Sequence, residues 1–276
     1  MIWKPSGVTS RRAVEMAQRL LGERPLGHTG TLDPLASGIL IVLGGEARKF
    51  QNIVTDHSKC YEARIVFGIE SGSEDAEGPL WCPLPRGAMP SREAIDAALG
   101  GFVGEQEQVP PRLSAVRLDG ERSHKRARRG EEVELPPRRV RIDAIEVLQW
   151  TAPLLTLRVA CGAGTYIRSF ARDLGEQLGV GAFLVGLRRT QVGSFREEEA
   201  VPLTLLTADS WRTTEELVRD IPRLDVDKDE AYALSLGQQL PARERIDGPT
   251  VVWCEERVVG IVEPREELWQ PRRWLR

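Results

Sequence analysis

The chain has 276 residues, 41% apolar and 29% charged with a formal net charge of −3, which excludes a disordered or low-complexity protein and allows one large domain with a smaller one. Its longest apolar run falls far short of the roughly 20 residues of a membrane-spanning helix, and Met1 to Pro5 lack the apolar core of a secretory leader, so a cytoplasmic protein without membrane contact is expected. Cys60, Cys82, Cys161 and Cys254 form no Cys-x-x-Cys pair and the histidines are only His28, His57 and His124, so reduced thiols and no metal site are expected.

In chain order, Ser10 is positioned to cap a helix whose apolar face is Ala13, Val14, Ala17, Leu20 and Leu21, with Gly22 in the usual closing position. Asp33 follows in a loop bounded by Gly27, Gly30 and Gly38 and stiffened by Pro34, a setting that aims a carboxylate at a ligand. Ile39 to Leu43 is an unbroken apolar run of the length of a strand buried on both faces. Tyr61, Ala63, Ile65 and Phe67 alternate with Glu62, Arg64 and Val66 as in a half-buried strand, which by pattern alone makes Tyr61 a core residue. Residues 70–90 are acidic and rich in Gly and Pro, and read as an excursion from the core before a short helix opened by Ser91 and stopped by Gly100-Gly101.

The formal charge is strongly segregated, with −6 over 70–108, +5 over 109–141 and −6 over 196–230. The basic stretch suits a phosphate backbone, and equally a solvated face interleaved with Glu131, Glu132 and Glu134. Two strands are predicted around Val140–Val147 and Leu155–Val159. A helix follows the turn at Gly162–Gly164, with Ile167, Phe170, Ala171, Leu174 and Leu178 on its apolar stripe, Arg168 off it and Tyr166 at its entrance. Val251–Trp253 and Val258–Val262 predict a hairpin around Glu255-Glu256, and a domain boundary is expected near 225.

Gly27 to Gly38, reading GHTGTLDPLASG, resembles the nucleophile motif of the bacterial tRNA pseudouridine synthase B family. Lys4–Ser10, Lys59–Tyr61, Gln108–Pro111 with Ser114–Val116, and Gly164–Arg168 through Leu187–Arg189 are similar to its other motifs in the same order. The resemblance implies an α+β pseudouridine synthase fold with a mixed, largely antiparallel sheet flanked by helices. Residues 1–224 would form the catalytic domain, with an RNA-binding insertion at about 70–140, and 225–276 a small PUA-like β-rich domain. It further implies isomerisation of uridine to pseudouridine at position 55 in the T loop of tRNA, by base flipping and without a cofactor; a monomer with no obligatory protein partner is expected.

By the same resemblance Asp33 is the nucleophile, Arg168 pairs with it, Tyr61 stacks on the target base, and Tyr166 and Leu187 border the pocket. His28 enters the T loop as the uridine is extruded. Arg11, Arg12, Arg126, Arg128, Arg129 and Arg141 are candidates for the RNA backbone, as are Arg265, Arg272 and Arg273 in the tail. Whether Asp33 attacks C1′, attacks C6 or deprotonates the sugar is left open by the residues. The chain departs from the family at His124, at Gly162 and in the less threonine-rich Ser71–Asp75 segment. Two other readings are a non-catalytic RNA-binding protein, which would not need Asp33, and the RNA-guided relative, which would need partners and a guide.

Overall fold

The computed structural model describes residues 1–22, 25–81, 89–114, 117–118, 121–123, 126, 129, 131, 135–242 and 246–275. The chain forms two compact units, one of Met1–Ser10, Leu32–Leu40 and Asp56–Ala200, the other of Arg11–Thr31, Ile41–Thr55 and Val201–Arg276. Among the described residues no helix is long and apolar enough to cross a membrane.

The first unit is built on strands β1 (Ile2–Lys4), the first residues of β2 (Ser37–Leu43), β3 (Lys59–Phe67), β4 (Gly104–Gln108), β5 (Arg138–Thr151), β6 (Leu154–Cys161) and β7 (Ala182–Val192). Their order in the sheet is β1-β2-β7-β3-β6-β5-β4. Only β2 and β7 run parallel; every other pair is antiparallel, as the resemblance implied. β3 alternates as its sequence predicts, with Tyr61, Ala63, Ile65 and Phe67 buried and Arg64 exposed. β2 is buried on both faces, in keeping with its uninterrupted apolar run.

The core joins these side chains to Leu155, Leu157 and Val159 of β6 and to Ile167, Phe170, Ala171 and Leu174 of the helix Ile167–Gln177. Phe170 meets Phe102 edge to face at 5.0 Å, and each fully buried residue of this size contributes roughly 1.5–3 kcal/mol. The helix Arg92–Gly100 is capped by the Ser91 hydroxyl, which accepts from the Ala94 amide, and buries Ile95, Ala98 and Leu99. Where β2 meets β7, Gly38 has φ +116°, and a Cβ there would lie 2.2 Å from the Arg189 carbonyl oxygen. Only glycine permits that approach.

In the second unit the helix Ser10–Leu21 buries Ala13, Val14 and Ala17, and Gly22 closes it with φ +68°. His28 is half-buried in the short strand Gly27–Thr29, opposite Val42. A five-stranded sheet follows, in the order Arg223–Asp225, Thr250–Cys254, Arg257–Arg265, Leu268–Trp274 and Leu240–Pro241. The predicted hairpin is present, with Glu255 and Glu256 both at positive φ in its two-residue turn. Trp269, 1% exposed, packs at the centre of this sheet's core with Leu224, Leu234, Val252 and Val262.

Candidate active site

Asp33 sits at the start of a tight turn, its carbonyl accepting from the Ala36 amide at 3.0 Å, just before the buried strand β2. The residues around it are tied down almost atom by atom by the first ten residues of the chain. The Ser6 hydroxyl donates to the Leu35 carbonyl at 2.7 Å and the Gly7 amide to the Pro34 carbonyl at 2.7 Å. The Ser10 hydroxyl donates to the Leu32 carbonyl at 2.9 Å and accepts from the Leu32 amide at 2.8 Å. Ser10 is therefore not the free helix cap that its sequence context predicts: it is the first helical residue, and its hydroxyl serves the Asp33 loop.

Lys4, fully buried, directs its ammonium at the carbonyls of Pro5, Val8 and Pro34. Burial lowers its pKa to about 8, and the nearby Asp33 carboxylate partly opposes that shift. The KPSGVTS segment thus acts as a mount for the acid. Sequence patterning does not assign these roles, because the partners lie 22 to 30 residues away and share no local periodicity.

Arg168 meets Asp33 as a fork, with Nε 2.9 Å from Oδ2 and Nη2 2.8 Å from Oδ1. The arginine side chain is 5% exposed and the aspartate 30%, so the guanidinium lies beneath the acid and the acid keeps an open side. A two-point contact of this kind fixes direction as well as charge. The fork is itself fixed: Nη1 donates to the Ser73 carbonyl at 3.2 Å, Nη2 to the Leu113 carbonyl at 3.1 Å, and Asp75 Oδ2 lies 3.6 Å from Nε. Asp75 is buried and accepts from the Ser73 hydroxyl at 2.5 Å and from the Glu77 amide at 3.0 Å. Ser71, Ser73 and Asp75 therefore correct the reading of 70–90 as an excursion from the core. A buried acid with a buried counter-charge is indistinguishable, in composition, from a solvated one.

Tyr61 is 7% exposed and lies directly across from Arg189 in the β3–β7 ladder. Burial raises the Tyr61 pKa above its ordinary value, while Arg189, hydrogen-bonded to the phenol, opposes that shift. Tyr61 and Leu187 share one hydrophobic cluster with Leu32 and Ala36, which flank Asp33 on either side in the chain. Tyr166 precedes the helix Ile167–Gln177. Its amide donates to Gln108 Oε1 at 2.8 Å and its carbonyl accepts from Gln108 Nε2 at 3.0 Å. Its phenol bonds to Ser114, and its pKa is raised chiefly by burial.

Arg11 and Arg12 are exposed and pair with Glu15 at 3.0 and 3.6 Å. Arg126 and Arg129 pair with Glu131 at 2.9 and 2.7 Å, and Arg141 with Asp143 at 2.6 Å. Arg128 and His124 lie outside the described residues. Arg265, Arg272 and Arg273 are exposed on the C-terminal sheet, Arg272 donating to Glu263 at 2.7 Å.

The solved structures similar to this chain define its class first. A chain of a Cbf5–Nop10–Gar1 complex superposes with a TM-score of 0.75 at 25% identity, over 95% of this chain and 76% of that one. A chain of an H/ACA ribonucleoprotein bound to a substrate RNA containing 2′-deoxyuridine gives 0.75 at 22% identity, over 100% and 84%. The molecule has the pseudouridine synthase fold.

Its sequence then narrows the class. The family model described as TruB family pseudouridylate synthase (N terminal domain) matches residues 18–167, and that for the tRNA pseudouridylate synthase B C-terminal domain matches 168–225. A tRNA pseudouridine synthase B of Azoarcus sp. (strain BH72) is 38% identical over 99% of this chain and 92% of its own length. One of Ralstonia nicotianae (strain ATCC BAA-1114 / GMI1000) is 44% identical over 86% and 79%. The chain belongs to the TruB family of pseudouridylate synthases.

Proposed function

We propose that this protein isomerises uridine to pseudouridine at position 55 in the T loop of tRNA, as a cytoplasmic monomer working without a cofactor, guide or protein partner. The observation that carries the reading is the fork of Arg168 on Asp33, an acid held at both oxygens from below and open above. In the reaction the N1–C1′ bond breaks, the base turns, C5 bonds to C1′, C5 gives up its proton and N1 gains one. Asp33 is the nucleophile that starts this exchange, and Arg168 keeps its carboxylate aimed while charge moves. Tyr61 stacks on the extruded base. With its pKa raised by burial it carries its proton at neutral pH.

Tyr166 and Leu187 border the base, and His28 fills the stack that the uridine vacates. Extrusion costs a few kcal/mol, which contacts of Arg11, Arg12, Arg126, Arg128, Arg129 and Arg141 with the RNA backbone offset. Residues 1–224 act as the catalytic part and 225–276 as an RNA-binding addition. The 38–44% identity to synthases named for tRNA favours a stand-alone enzyme over the guided type, to which the identity is 22–25%.

The test is to incubate the purified chain alone with an unmodified tRNA transcript and map pseudouridine chemically. Conversion at position 55, lost in Asp33→Asn while tRNA binding persists, is the expected result. Activity retained in Asp33→Asn would exclude the nucleophile, and activity that requires added partners would favour the guided reading.

A further inference from the structure

The helix Ile167–Gln177 carries, beside Arg168, two side chains that the reaction does not use. The Ser169 hydroxyl donates to the Val109 carbonyl at 2.8 Å and lies 3.2 Å from Glu74 Oε2. Arg172, one turn beyond Arg168, donates through Nη1 to Glu74 Oε1 at 2.6 Å and through Nη2 to the Val109 carbonyl at 3.0 Å, while its Nε reaches Asp173 at 2.8 Å. Glu74 is itself held, with φ +64° and a carbonyl that accepts from the Leu184 amide at 3.1 Å. Its side chain is 13% exposed and that of Arg172 24%, so the pair is partly withdrawn from water and less screened than a surface ion pair.

Val109 opens the stretch 109–141, which holds ten arginines and lysines. Four residues on, the Leu113 carbonyl is held by Arg168. Between the two anchors Pro110 and Pro111 fix their own φ, so pinning a carbonyl on each side fixes the backbone from Val109 to Leu113, the first residues of that stretch. Neither Glu74 nor Arg172 is hydrogen-bonded to Asp33.

Resting on the function proposed above, we infer that Glu74 and Arg172 are a positioning pair that anchors the root of the basic stretch and so sets affinity for the RNA, without touching the reacting atoms. The ion pair and the Val109 contact act as one unit, because both pass through a single guanidinium.

The experiment is multiple-turnover kinetics on a T-loop hairpin at fixed salt, comparing wild type with Glu74→Gln, Arg172→Gln, Arg172→Lys, Ser169→Ala and the Glu74→Gln/Arg172→Gln double variant. Arg172→Gln and Glu74→Gln should each raise KM about tenfold with kcat within about twofold, the factor for one lost charge-assisted contact. Arg172→Lys, able to keep one of the two contacts, should fall between. The double variant should be no worse than Arg172→Gln alone, since both changes break one unit.

Should Arg172→Gln fail to fold by circular dichroism, Ser169→Ala and Arg172→Lys decide in its place through the same rise in KM. An unchanged KM, a fall in kcat at constant KM, or additive losses in the double variant would overturn the inference. So would a lower KM in Glu74→Gln, which is what a direct contact between Arg172 and phosphate predicts. A wild-type chain that converts no uridine would instead defeat the functional reading, whereas an active wild type with unaltered variants defeats only the anchor.

Discussion

Replacing Ser10 by alanine isolates the mount of the acid from the acid itself. Ser10 and Leu32 are each 2% exposed, and one hydroxyl satisfies both the carbonyl and the amide of Leu32, at 2.9 and 2.8 Å. Alanine leaves two buried backbone groups without a partner, at about 1–3 kcal/mol each, so a loss of about 2–6 kcal/mol is expected. At about 2–4 °C per kcal/mol for a chain of this size, calorimetry should show melting lowered by about 4–24 °C. Leu32 directly precedes Asp33, and a displacement near 1 Å at a reacting group costs on the order of 100-fold. Single-turnover pseudouridine formation should therefore slow by about 10- to 100-fold with RNA binding retained. Ser10→Thr, which keeps the hydroxyl, should recover most of the rate. Wild-type melting and rate in Ser10→Ala would refute the claim that this hydroxyl holds the loop.

Arg168→Lys keeps the charge but not the fork, and kcat should fall by about 10- to 100-fold, the worth of one charge-assisted bond, in rapid-quench measurements. Unchanged turnover would show that charge alone suffices. Gly38→Ala places a Cβ 2.2 Å from the Arg189 carbonyl at φ +116°, and urea unfolding should register a loss of about 3 kcal/mol or more; a near-neutral result would mean that β2 and β7 can separate freely. Lys4 titrates near 8 in the folded chain and near 10.5 when unfolded, so between those pH values the unfolded chain binds more protons and stability rises with pH. Lys59, also lowered to about 8, adds to that rise, whereas Cys161, Tyr61 and Tyr166, whose pKa values burial raises, oppose it, so Lys4→Met should lower the slope relative to wild type. An unflattened slope in denaturation series from pH 8 to 10.5 would refute the assignment.

Asp33 and Arg168 were legible in the sequence for reasons of local chemistry. The acid stands in a glycine-bounded loop ahead of an apolar strand, and the arginine falls off the stripe of its own helix. That the two meet across 135 residues came from the family resemblance and not from periodicity. Tyr61 and Leu187 read as core by pattern and are indeed buried, so burial by itself cannot separate a pocket wall from packing. The roles of Lys4, Ser10, Ser73, Asp75 and Gln108 were hidden for a common reason. Each acts through a backbone or charge partner set by tertiary structure, and a buried polar residue carries the same letter as an exposed one. Asp75, inside a stretch of net charge −6, is the sharpest case.

The unequal wetting of the clamped pair, 5% for the guanidinium and 30% for the acid, decides which partner has to yield when enzyme and RNA meet. An arginine moored at both ends of its fork leaves the acid no slack with which to follow a misplaced nucleotide, so on the proposed function the nucleic acid must come to a stationary point. Selection among transcripts then falls on how cheaply each one deforms. On the function proposed above, an RNA whose target nucleotide unstacks cheaply should be converted faster than one that holds it in a paired stem.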